Sequence, residues 1–233
     1  MILTELSLAD GFAALNRGDL ATAGEACKQA LAANQKHVPA HFLVGLVALE
    51  SKQRQVAHEA FKSVVKLDRD HAAAWAHLAK LNVGEGRIAA AESALREVRR
   101  IQPSDPMVIE LTGTVLNSLG EYEAAELFFE RARQMVPQSP SALMNLGNVR
   151  VFLGKIEEAV ALFKRAIELE PNSAQCHWGL ANSEKAKDDS HIKTMQGLID
   201  SGRQSKRSQG FLYYAIGNCL LYTSDAADDL WCG

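Results

Sequence analysis

Residues 140–173 read PSALMNLGNVRVFLGKIEEAVALFKRAIELEPNS. In the second half, Ile156, Ala159, Val160, Phe163, Ala166 and Ile167 share one face of a helix with a period of about 3.6 residues. Glu157, Glu158, Lys164, Arg165 and Glu168 take the opposite face. Leu143, Leu146, Gly147, Val151 and Leu153 repeat the pattern in the first half. Between the halves, Leu153-Gly154-Lys155 interrupts the periodicity where two antiparallel helices must turn. Pro171 closes the stretch, because a proline has no N–H with which to continue a helix. The unit is a helix–turn–helix hairpin of 34 residues.

The same pattern recurs at steps of 34 residues back towards the start of the chain. Gly147 is preceded by Gly113, Ala79, Gly45 and Gly11, all small; Ala159 by Ala125, Ala91, Ala57 and Ala23, without exception. Phe163 steps to Phe129, Leu95, Phe61 and Cys27, and the turn glycine recurs as Gly154, Gly120, Gly86 and Gly18, with Lys52 the one departure. Pro171 steps to Pro137 and Pro103, then to Arg69 and Gln35, where the proline is missing. Each regularity has a steric reason. Small residues are expected where the helices of a hairpin cross, and the bulky residue four places after the alanine is expected to fill the space beside them.

Trp75-x2-Leu78-Ala79 and Leu143-x2-Leu146-Gly147, followed by Ala125-x3-Phe129…Pro137 and Ala159-x3-Phe163…Pro171, resemble the signature of the tetratricopeptide repeat. The resemblance covers about three-quarters of the chain, as five units in one register: 4–37, 38–71, 72–105, 106–139 and 140–173. It implies an all-α fold, a right-handed superhelix (an α-solenoid of stacked hairpins) with a concave face lined by the first helix of each unit.

After residue 173 the register weakens. Residues 174–181 fit another first helix, but the expected second-helix alanine falls on Lys193. Asp188-Asp189-Ser190 reads as an N-cap cluster for a shorter helix, residues 201–208 as a polar loop, and Phe211 to Gly217 as the start of a further repeat-like helix. Residues 174–218 are therefore expected to form an irregular sixth hairpin and one more helix. From Cys219 the chain runs CLLYTSDAADD, which resembles the translation of a transposon-end sequencing adapter, so 219–233 are read as non-native. The natural product is then expected to continue past Asn218. Its solenoid end near Phe211 is expected to expose an apolar face that frays or self-associates.

Composition bounds the rest. The 233 residues are 47% hydrophobic and 23% charged, as in an ordinary globular chain, with a formal net charge of −3. Asp225, Asp228 and Asp229 account for that excess, so the credible chain is neutral and carries no nucleic-acid signature. Cys27, Cys176, Cys219 and Cys232 form no CxxC, and no hydrophobic segment follows a basic start or is long enough to span a membrane. A cytoplasmic protein with reduced thiols is expected.

No nucleotide-binding loop appears: Gly147…Gly154-Lys155 has the wrong spacing, Ile156 stands where Ser or Thr is needed, and the stretch is helical. No GxSxG occurs, and Glu157-Glu158 read as an ordinary solvated pair. His37, His41, His58, His71, His77, His177 and His191 are scattered and read as helix-end or surface residues. Cys27 reads as a buried small hydrophobe. Neither enzyme activity, a cofactor nor a metal is expected of this chain.

The family resemblance implies a partner-binding concave face made of Phe42, Leu46, Lys80, Glu110, Asn117, Met144, Asn145, Asn148, Phe152, Trp178 and Asn182. Asparagine amides there can both donate to and accept from an extended peptide backbone. The partner is expected to be a protein or peptide, with neither nucleic acid nor membrane involved. Relatives that grip C-terminal carboxylates use lysine and asparagine four residues apart on successive first helices. Leu8/Phe12, Phe42/Leu46 and Ala76/Lys80 stand at those places, so that function is not expected here. Residues 191–217 also resemble the junction that follows the repeat array of bacterial sulfotransferases. The alternative is therefore the non-catalytic arm of a truncated enzyme that uses the sulfate donor PAPS. No strand–loop–helix of the type P-R-[ST]-G-[ST]-[ST] is present, so no catalytic or cofactor residue carries over.

Overall fold

The structure is a computed structural model that describes residues 7–185 and 189–228, with side chains to residue 221. The described residues form helices and no strand. The chain divides into two compact units, Met1–Leu119 and Gly120–Gly233.

The first unit contains α1 (Leu8–Asn16), α2 (Leu20–Ala33), α3 (Val38–Glu50), α4 (Arg54–Leu67), α5 (Ala72–Gly84), α6 (Ile88–Ile101) and α7 (Pro106–Ser118). The pairs α1/α2, α3/α4 and α5/α6 are hairpins. The second helices α2 and α4 also pack on the next first helices, α3 and α5, and α5 packs on α7. The second unit contains α8 (Tyr122–Met135), α9 (Pro140–Phe152), α10 (Ile156–Leu169), α11 (Ala174–Ser183), α12 (Ser190–Asp200) and α13 (Lys206–Asp228). Here α9/α10 is the hairpin, α11 packs on both α9 and α10, and α13 packs on α11 and α12. Each unit is a stretch of α-solenoid.

The first helices α1, α3, α5, α7 and α9 begin where the side chains of Ser7, His37, His71, Asp105 and Ser139 accept from free amides of the first turn. Among the second helices Asp19 does the same for α2, and Pro106 and Pro140 occupy the first helical position, where no N–H is needed. The hairpin turns share one geometry. Gly18, Gly86, Gly120 and Gly154 have φ between 72° and 79°, and Lys52 is forced into the same left-handed region at 59°. In four of these turns the amide after the left-handed residue bonds back five residues: Asp19 to Ala14, Gln53 to Ala48, Arg87 to Asn82 and Lys155 to Arg150, at 2.8–2.9 Å. That bond defines a helix end closed in the left-handed conformation, which only glycine adopts without a Cβ penalty.

Packing follows the repeat. Ala23, Ala57, Ala91, Ala125 and Ala159 are all fully buried. Phe163 is buried between two glycines, where a Cβ on Gly147 would lie 2.8 Å from the ring and one on Gly179 2.6 Å. In the first unit Phe61 meets Gly45 in the same way, and the ring of His77 stacks on it at 4.8 Å. His77 and Gly179 hold the same place in their repeats. Cys27 is buried at the phenylalanine position.

Two expectations are corrected. The polar run 201–208 is not all loop, because α13 already begins at Lys206. The Ser205 hydroxyl accepts from the Ser208 amide at 3.1 Å and starts the helix three residues after Gly202 turns the chain at φ 67°. The histidines are not all surface residues either. His77 lies inside the first unit and His177 is 1% exposed in the second, each drawn in by packing that a scattered sequence spacing does not announce. Asp188 lies outside the described residues, and the neighbouring N-cap, Asp189, makes no side-chain cap bond.

Candidate partner-binding face

The expected face is distributed over both units. In the first, Phe42 and Leu46 lie one turn apart on α3, both half-buried. Phe42 is committed to the interior more than expected, its ring 4.7 Å from His71 and 5.6 Å from Phe61. Lys80 on α5 is exposed, and Glu110 and Asn117 on α7 are half-buried. The Asn117 amide oxygen is buried without a hydrogen-bond partner, so it faces protein rather than an incoming chain. Beside Lys80, burial followed by the lysine's charge pushes the His77 imidazole down to about 4, which keeps it neutral.

In the second unit, Met144, Asn145 and Asn148 are half-buried along α9. Phe152 at its end is 62% exposed, its ring stacked on Tyr122 at 4.6 Å. Trp178 and Asn182 follow on α11, at the repeat positions of Met144 and Asn148. The structure joins these two to residues that sequence reasoning did not nominate. Phe211 on α13 meets Trp178 edge-on at 5.8 Å, and the Asn218 amide donates to the Asn182 side-chain oxygen. These contacts place α11 and α13 parallel, as two successive first helices. An open-sided cleft of about 470 Å³ lies there, lined by Trp178, Arg207, Gly210, Phe211 and Tyr214. Its α13 residues escaped notice because the 34-residue step fails after α11. The aromatic spacing of Phe211 and Tyr214, three apart on one helix face, was the available signal.

Two further clusters in this unit have structural explanations. Arg150 on α9 holds Glu126 and Glu130 of α8 at 3.1 and 3.5 Å and Glu158 of α10 at 3.2 Å, while Lys155 holds Glu126 at 2.7 Å. This network ties three helices together. His177 accepts or donates at Nδ1 to His191 Nε2 at 2.9 Å, and its Nε2–H donates to the Pro171 carbonyl at 2.9 Å. With that second bond fixed, Nδ1 is the acceptor and both rings are neutral. Burial lowers both pKa values, that of His191 to about 4. Among the described residues, no group of three or more His, Cys, Asp or Glu side chains is placed to hold a metal ion. No helix among them is long and apolar enough to cross a membrane.

The comparisons agree with this architecture. The family model for the tetratricopeptide repeat matches residues 48–113 and 116–182, more than half of the chain. No curated protein matches it. Among solved structures, that of PilW, a type IV pilus biogenesis factor, is similar with a TM-score of 0.70 and 17% identity, covering 87% of this chain and 94% of that one. YrrB, described as a tetratricopeptide-repeat protein with an unusual peptide-binding site, gives 0.58 and 17%, covering 82% and 97%. MamA gives 0.54 and 27%, covering 71% and 96%. None of these findings lends support to the sulfotransferase resemblance. On the strength of the matched residues and the repeated hairpins, the chain belongs to the tetratricopeptide-repeat family.

Proposed function

We propose that the chain is a non-catalytic interaction scaffold that binds a protein or peptide segment along the first-helix faces of its repeats. One contrast carries this reading. The crossing alanines are identical and buried in all five units, as packing requires. The equivalent first-helix positions Leu46, Lys80, Thr114, Asn148 and Asn182 carry four residue types in five repeats and stay partly or wholly accessible. Packing does not demand that variety, whereas reading a partner does. The proposed contacts are Leu46, Lys80 and Glu110 in the first unit and Met144, Asn145, Asn148, Phe152, Trp178 and Asn182 in the second. Phe42 and Asn117 support the face from within.

Affinity capture from the source cells tests this with Lys80→Glu and Asn148→Arg in the face and Glu157→Lys on the outer surface as control. Partners that are lost with the first two and kept with the third support the reading. Partners indifferent to the face changes overturn it.

A further inference from the structure

We propose that the cleft between α11 and α13 docks an acidic peptide segment carrying one large apolar anchor residue. This rests on the reading that the chain binds a peptide and names the chemistry of that peptide.

The walls supply the anchor site. Trp178 from α11 and Phe211 and Tyr214 from α13 line it with aromatic surface, and Tyr214 is 70% exposed and so not consumed by the fold. At about 470 Å³ the cleft lies in the range of roughly 300–1,000 Å³ typical of small-ligand pockets, enough for one large side chain but not for a helix. The indole N–H of Trp178 has no acceptor among the described residues, whereas that of Trp75 donates to the Arg69 carbonyl at 2.9 Å. It is thus available to a ligand.

Charge supplies the sign. Arg207 lines the cleft, Lys206 precedes it at the start of α13 and Arg203 lies in the turn just before, all exposed. Among the described residues none of the three meets a carboxylate, although Arg133, Arg150, Lys155, Lys164 and Arg165 of the same unit each do. No acidic residue occurs anywhere from Ser201 to Asn218. A cationic rim of this kind around an aromatic pocket selects carboxylates flanking an apolar anchor. At the far end, the bonded Asn182–Asn218 pair still has a donor and an acceptor to offer the peptide backbone.

The test is a display selection of random dodecapeptides against the full chain, followed by titration of the enriched peptides at low and high salt. Expected are sequences with Phe, Trp or Leu flanked by Asp or Glu, weakened by salt. Arg207→Glu and Tyr214→Ala, both at exposed positions, should each lower affinity roughly tenfold or more without altering the helical content. Enrichment of basic or uncharged peptides, or acidic ones indifferent to both variants, overturns the inference. So does binding of a single-stranded oligonucleotide in place of any acidic peptide. Peptides sensitive to Lys80→Glu or Asn148→Arg but not to Arg207→Glu would overturn it while leaving the wider face reading intact. A folded chain that binds no peptide removes both.

Discussion

Replacing Phe163 by alanine tests the packing logic of the repeat quantitatively. The ring is fully buried, and deletions of this size cost about 3–5 kcal/mol. The cost should fall in the upper half of that range, because the flanking residues, Gly147 and Gly179, have no side chains to swing into the void. The more discriminating arm is Gly147→Ala. In the natural background the new Cβ lies 2.8 Å from the Phe163 ring. That overpacking costs about 1–3 kcal/mol and outweighs the roughly 1 kcal/mol by which alanine improves a helix interior. Made in the Phe163→Ala background, the same change meets no ring, fills part of the cavity and should stabilise by about 1 kcal/mol. The sign reverses, and the coupling is about 2 kcal/mol. Equilibrium urea unfolding of the four chains, followed by far-UV circular dichroism, measures the cycle. If Gly147→Ala is equally destabilising in both backgrounds, the glycine is not there to admit the ring and the reasoning fails.

Other expectations follow from the same geometry. Lys52→Gly should stabilise the first unit by about 1 kcal/mol, since it removes a Cβ from a left-handed residue, and Gly154→Ala should cost the second about as much; thermal melts decide both. Arg150→Met should destabilise by about 1 kcal/mol by taking from Glu126, Glu130 and Glu158 the counter-charge they share, more so at low salt. Because His191 and His77 titrate near 4 in the folded chain and near 6.5 unfolded, the unfolded state binds more protons between those values. Stability is therefore complete above about pH 6.5 and falls as pH drops towards 4, and His191→Gln should make that fall shallower in urea titrations. Sequencing the source DNA across the codons for Asn218 and Cys219 should show a reading frame other than CLLYTSDAADD, if 219–233 are adapter-derived as proposed; the same frame in genomic DNA contradicts that proposal.

The repeat was legible because its constraints are steric and local. A fixed step of 34 residues carries the left-handed turn glycine, the crossing alanine and the wedge phenylalanine, so the alanine was visible five times, the glycine four and the phenylalanine three. Even the exception was informative, since Lys52 adopts the glycine conformation that its position demands. What escaped lies where the step breaks. The early start of α13, its parallel course along α11 and the Trp178–Phe211 contact depend on tertiary packing between segments of unequal length. Periodicity has no hold on that. The His177–His191 bond joins residues on different helices, and their spacing in the chain carries no trace of it. Of the nominated face, Trp178 and Asn182 came together with new neighbours. Phe42 and Asn117 proved more interior than a helical register indicates, because register assigns a face but not the depth to which a neighbour covers it.

Site-specific photo-crosslinking in the source cells tests the central claim most directly. A photoreactive side chain is placed in turn at Asn148 and Lys80 on the proposed face, and at Glu157 and Lys164 on the second-helix surface. The account predicts protein adducts from Asn148 and Lys80 and none from the other two positions. Adducts confined to Glu157 and Lys164 would place the partner on the opposite surface and contradict it.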